Sequence, residues 1–99
     1  MGNIVLIERV SLDENCILSV KPKKESFDMI YRAAMGVRWN SDNNYLYFNT
    51  PIGKEDDIVS FYQFIKKAVF EEYGKILKSD NKTVYVNINE PTVTLIARL

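Results

Sequence analysis

The sequence predicts an α+β fold: a small, mainly antiparallel β-sheet with two main α-helices packed on it, in the order ββ-α-ββ-α-ββ, with an optional short C-terminal helix. Three observations predict it. Runs of β-branched residues come in pairs joined by short polar turns, the pattern of hairpins and so of antiparallel neighbours. Two stretches, beginning near Ser26 and Asp56, carry apolar residues at helical spacing. The 99 residues are 46% hydrophobic and 26% charged, an ordinary globular composition in a chain too short to divide into two cores, so residues 1–99 read as a single domain.

The first strand runs from Ile4 to Val10 and is rich in β-branched residues. The turn "SLDEN" follows, and Cys16 to Val20 returns as the second strand. Pro22 ends it, because proline has no amide to donate to the next rung. Ser26 then caps a helix by offering its hydroxyl to free first-turn amides. Phe27, Ile30, Tyr31 and Ala34 recur at the spacing of one buried face. Asp28 and Arg32 predict an ion pair on the other side, and Gly36 stops the helix.

A second hairpin places "VRW" and "YLYF" around Asn40 to Asn44, since Asn and Asp bond the local backbone and accept left-handed conformations. The longest helix runs from about Asp56 to Tyr73. Glu55, Asp56 and Asp57 crowd its positive end, and Gly74 stops it. Ile58, Phe61, Ile65, Ala68 and Val69 form its core stripe, broadened by Phe64 and Phe70. "KILK" and "TVYVNI" read as two short strands joined by the turn "SDN". The tail alternates like a strand, yet Asn89 followed by Pro91 is a helix start that would put Val93, Ile96 and Ala97 on one face; the helix is preferred.

Much chemistry is excluded by composition. Without histidine there is no usual general base, no Ser-His or Cys-His nucleophile pair, and no ordinary zinc site for the lone Cys16. Cys16 shares a strand face with Leu18 and Val20, which predicts an inert core thiol. Asn40, Asp42 and Asn44 begin like a calcium loop, but the pattern then meets Tyr45 where glycine is needed and Pro51 where a bidentate acid is needed. Three adjacent acids at a helix start point in different directions and do not converge on magnesium. The four glycines are isolated, so no phosphate loop exists. The expectation is a chain without cofactor or metal, with a non-enzymatic role preferred and a histidine-free enzyme using Arg38, tyrosines and carboxylates kept as the alternative.

Thirteen basic and thirteen acidic residues balance, so "KPKK", Lys21 to Lys24, reads as a solvated loop and no nucleic-acid partner is expected. No apolar run is long enough to span a bilayer, and no basic segment leads into a long apolar one. A cytoplasmic protein without a membrane partner is expected.

What remains is surface. Tyr45 and Tyr47 share one strand face while Leu46 and Phe48 share the other; Val84 and Val86 likewise oppose Tyr85. Both faces of the sheet are therefore apolar or aromatic, more than two helices can cover. Trp39, Tyr45, Tyr47 and Tyr85, with Arg38 beside them, are the candidate partner-binding residues. Three readings stay open: a half-exposed sheet surface, a homodimer or protein-partner interface, and a small-molecule pocket in which Arg38, tyrosines and carboxylates act. For Arg38 itself, a structural ion pair is the plainer expectation.

The segment Phe27 to Pro51, with "IYRAA", "V-x-W" and "LYFNTP", followed by an aromatic-rich helix ending in "EEYG" and by "VNI", resembles the centre of small uncharacterised proteins encoded on mobile integron gene cassettes. The likeness extends over about residues 16–90 and contains no catalytic signature. It implies a small bacterial α+β protein, with room for a dimer. It also favours a helix after "VNI", although "NEP" departs from that pattern's proline placement.

Overall fold

A computed structural model of the chain describes residues 3–33, 36–54 and 56–99. In chain order these form β1 (Ile4–Leu12), β2 (Leu18–Pro22), a 3₁₀ turn (Ile30–Arg32), β3 (Val37–Asn40), β4 (Tyr45–Phe48), α1 (Asp57–Tyr73), β5 (Ile76–Lys78), β6 (Val84–Val86) and α2 (Glu90–Ala97). The described strands make a six-stranded sheet ordered β3-β4-β2-β1-β5, with β6 also paired to β1. The predicted α+β class holds.

The hairpins form where the turn chemistry asks for them. In the first, Asp13 Oδ1 accepts from the amides of Asn15 and Ile17 at 2.8 and 2.9 Å, drawing the chain round. In the second, Asn40 Oδ1 accepts from the amides of Asp42 and Asn43, and Asn44 takes a φ of 59°. The side chain that began the calcium-like pattern is thus spent on its own turn.

Two expectations about the first hairpin are corrected. Cys16 is not in the core: it is exposed in the turn at φ 62°. A side chain with a Cβ is strained there. Cys16→Asn, which tolerates this region, is expected to raise stability by up to about 1 kcal/mol, read as a higher urea midpoint. The returning strand is Leu18–Pro22 rather than Cys16 to Val20; Pro22 ends it as expected, buried opposite Ile7 beside a bulge between Ile7 and Arg9. A missing amide is tolerated at such a break in the ladder.

The helix predicted from Ser26 is a single 3₁₀ turn. Phe27 and Ile30 are buried as expected, but Tyr31 is 55% exposed, and Ala34 lies outside the described residues. The reason is tertiary. Phe27 meets Trp39 and Tyr73 edge-on, with ring centroids 5.9 and 4.9 Å away, and the Met29 amide donates to the Tyr73 hydroxyl at 2.8 Å. Anchors at Phe27 and Met29, with Ile30 buried next to them, fix a tight turn, so these contacts override helical propensity. The expected Asp28–Arg32 pair is replaced by Arg32 Nε to Glu72 Oε2 at 3.6 Å.

α1 keeps its predicted extent, closing at Gly74 in the left-handed region at φ 66°, but Phe64 and Phe70, expected to broaden its core stripe, lie past the edge of the buried face and are exposed. Its buried residues are Ile58, Tyr62, Ile65, Ala68 and Val69, with Phe61 half-buried, so Tyr62 takes the central place that spacing assigned to Phe61. Glu55 of the predicted acidic cap lies outside the described residues. The tail is helical: Asn89 caps α2 by accepting from the Thr92 amide at 3.0 Å, with Pro91 in the first turn. α2 buries Thr92 and Ile96 rather than the predicted Val93, Ile96 and Ala97 face.

The largest departure concerns β5 and β6. They do not form a hairpin with each other. Both run parallel to β1, β5 along Ile4 to Leu6 and β6 along Arg9 to Ser11, on the edge opposite β2. They are one interrupted strand, with residues 79–83 looping out at the bulge of β1. There Thr83 Oγ1 donates to the Ile7 carbonyl at 2.7 Å, replacing the rung that the loop removes.

Candidate functional site

Register decides which candidates meet. On one face, cross-strand partners run in a row Trp39, Leu46, Val20, Val10, Tyr85; on the other, one residue along, Arg38, Tyr47, Ser19, Ser11, Val86. Leu46, Val20 and Val10 are fully buried, and Phe48 of the first face stacks on Phe61 of α1 at 4.3 Å, so the first face is the core face. The five candidates therefore split. Trp39 and Tyr85 point into the helix-covered side, while Arg38, Tyr45 and Tyr47 share the outer face. Period-two alternation could show that Arg38 and Trp39 oppose each other, but not which of them faced the helices.

On the inner face Trp39 is half-buried against Phe27. Among the described residues the buried hydroxyls of Tyr62 and Tyr85 find no hydrogen-bond partner. Burial pushes the Tyr62 phenol far above its ordinary pKa, and the neighbouring Tyr85 adds to this. Desolvated hydroxyls without partners destabilise a fold. Tyr62→Phe, which keeps the ring, is expected to be neutral or to stabilise by about 1 kcal/mol in denaturant titrations. A loss of that size would show that the hydroxyl is bonded in solution.

The outer face has two halves. Along β1, β5 and β6 it is aliphatic: Ile4 and Ile76 are register partners exposed by 57% and 43%, Leu6 lies beside them, and Val84 and Val86 continue the line at 53% and 37%. Sequence reading missed this half, since its signal was the one weighed for the tyrosines, apolar residues on both faces of a strand. Along β2, β3 and β4 the face is polar and aromatic. Tyr45 and Tyr47 meet edge to face at 6.0 Å, Asn40 Nδ2 donates to the Tyr45 hydroxyl at 3.1 Å, and the Ser11 and Ser19 hydroxyls bond at 2.7 Å. A depression of about 330 Å³ lies here, lined by Arg9, Ser11, Asp13, Ser19, Tyr45 and Tyr47 among others. Arg38, one strand further out, has no ion pair among the described residues, contrary to expectation.

Beside this half a second depression of about 410 Å³ is lined by the "KPKK" loop. Lys21 pairs with Glu8 at 4.0 Å and Lys23 with Asp80 at 3.5 Å, so acids accompany two of its three lysines. On α1, Lys66 lies 5.8 Å over the Tyr62 ring, and desolvation, then Lys78, lowers its pKa. Among the described residues no group of three His, Cys, Asp or Glu is placed to hold a metal ion, and no helix is long and apolar enough to cross a membrane.

The family model described as Integron Cassette Protein Hfx_Cass5 matches residues 3–83. Among solved structures, the chain is similar to the integron cassette protein Hfx_Cass5 from the mobile metagenome of the North West Arm sewage outfall. Identity is 26% over 95% of this chain and 92% of that chain, with a TM-score of 0.43. No curated protein matches. The match includes β1, which the resemblance read from sequence left out, and ends at Thr83, before β6 and α2.

Proposed function

The chain belongs to the Integron Cassette Protein Hfx_Cass5 family, and from that premise we propose that it is a small non-enzymatic interaction module that self-associates as a homodimer in the bacterial cytoplasm. The observation that carries this reading is the aliphatic half of the outer face, where Ile4, Leu6, Ile76, Val84 and Val86 stand exposed together on adjacent strands. Contiguous exposed apolar side chains of this kind mark association surfaces.

The face fits better than the edges. At one edge the broken β5/β6 line interrupts strand addition; at the other, the segment around Ile30 packs beside β3. Both are devices that blunt an edge. A second copy is the favoured occupant because aliphatic side chains on a sheet face match one another across a twofold axis, with Lys78, the register partner of Leu6, and Arg9, that of Val84, standing among them. A standard interface takes about 800 Å² from each partner, roughly an eighth of the 6172 Å² surface of this molecule.

Light scattering over a concentration series is expected to show a reversible dimer. Val84→Lys should move it to monomer with unchanged far-ultraviolet circular dichroism, since Val84 is exposed. Phe70→Lys, on an exposed ring of α1, should leave association intact. A wild-type chain that stays monomeric throughout, or a Val84→Lys variant that dimerises as strongly, would sink the reading.

A further inference from the structure

We infer that the polar half of the outer face binds an organic oxyanion, a carboxylate or phosphate group carrying a flat or apolar body, with Arg9 as its anchor. The concavity comes from side-chain size: Ser11 and Ser19 are small partners in a row whose next member is Tyr47, and Arg9 rises two residues from Ser11 along β1. The resulting volume of about 330 Å³ lies within the usual range for small-molecule sites, about 300–1,000 Å³.

Its chemistry has a surplus of donors. Ser11 and Ser19 share one hydrogen bond, so one hydroxyl hydrogen is left over. The Tyr45 hydroxyl already accepts from Asn40, leaving its own hydrogen to give. The Arg9 guanidinium makes no ion pair among the described residues, and its five N–H groups form a planar fork. Such a fork fits a carboxylate or phosphate in bidentate fashion. Arg9 also stands directly opposite Lys21 in register, and like charges placed so repel until an anion lies over them; Glu8 pairs with Lys21 only at 4.0 Å.

The acid in the lining is at the far rim. Asp13 lies four residues on from Arg9, in the turn just past β1, about 13 Å away at strand rise, and its Oδ1 is held by two backbone amides. The edge-to-face tyrosine pair, with Ile17, supplies an apolar wall for the body of the ligand.

The test uses the full chain and three probes of similar shape: benzoate, phenyl phosphate and benzyl alcohol, followed by amide chemical shifts. Benzoate or phenyl phosphate is expected to move the amides around Ser11, Ser19 and Tyr47, and whichever binds tighter identifies the oxyanion. Benzyl alcohol should bind about tenfold more weakly or not at all, and Arg9→Gln should lose about tenfold or more of the affinity. Arg9→Lys keeps the charge but not the fork, and should fall between. Lys24→Gln should change nothing. Equal binding of benzyl alcohol, undiminished binding by Arg9→Gln, or the absence of localised shifts would overturn the inference. Ile76→Lys, at the end of the aliphatic half away from Arg9, should break association yet bind the probes as the wild type does, so this result and that of the association test fail or stand separately.

Discussion

Phe27→Ala is expected to cost about 3–5 kcal/mol, a large part of the roughly 5–15 kcal/mol that holds a domain together. Phe27 is 1% exposed and touches both Trp39 and Tyr73 edge-on, so its removal leaves a cavity between the sheet and the end of α1. It also frees the segment whose Met29 amide is tied to Tyr73. Trp39 is the only tryptophan, so its fluorescence reports this region directly. Urea unfolding should show a much lower midpoint and a red-shifted native emission. An effect below about 1 kcal/mol, the range of ordinary surface change, would mean that the segment is not an anchored part of the core.

Thr83→Val is expected to cost about 1–3 kcal/mol although it preserves volume, because it leaves the Ile7 carbonyl without its donor and the Asp80 amide without its acceptor. Thr83→Ser should recover most of the loss. The site joins β1 to the end of the looped segment, and Asp80 beside it accepts from the Lys82 amide, pairs with Lys23 and bonds Thr83. These hold the Asp80 carboxyl below its ordinary range, the Lys82 amide most of all. A carboxyl depressed on folding contributes stability above its unfolded pKa and loses it as pH falls through the folded value. The wild type should therefore weaken at this corner only as pH falls below 3.8, the ordinary value of such a carboxyl. A Thr83→Val chain as stable as wild type would show that the break is bridged in some other way.

The elements that were legible are those set by neighbours in the chain. Asn40 draws its own turn, Asn89 caps its own helix, Gly74 takes the left-handed φ that its position requires, and the spacing from Ile58 to Val69 puts α1 on the sheet. The Ser26 segment has the same spacing and became a single turn because Trp39 and Tyr73, distant in sequence, offered Phe27 and Met29 better partners than a helix would. Cys16 alternates correctly with Leu18 and Val20, but the returning strand starts two residues later than the pattern implied and leaves it outside.

Of the candidate site, period-two alternation settled that Arg38 and Trp39 part company, as do Leu46 and Tyr47. It did not say which partner lay under the helices. That was decided when β2 and β4 aligned Val20 with Leu46 and the helices covered that row, sending Trp39 inward and Tyr47 outward. The aliphatic half and Arg9 came later still, when β5 and β6 ran parallel along β1 and set Ile76, Val84 and Val86 beside Ile4, Arg9 and Ser11. Local sequence therefore determined fold class, turns, caps and the two-sided apolar character of the strands, because those depend on backbone preferences over a few residues. Strand pairing and the side covered by helices were left to the tertiary structure, because they depend on which distant surfaces bury the most apolar area together.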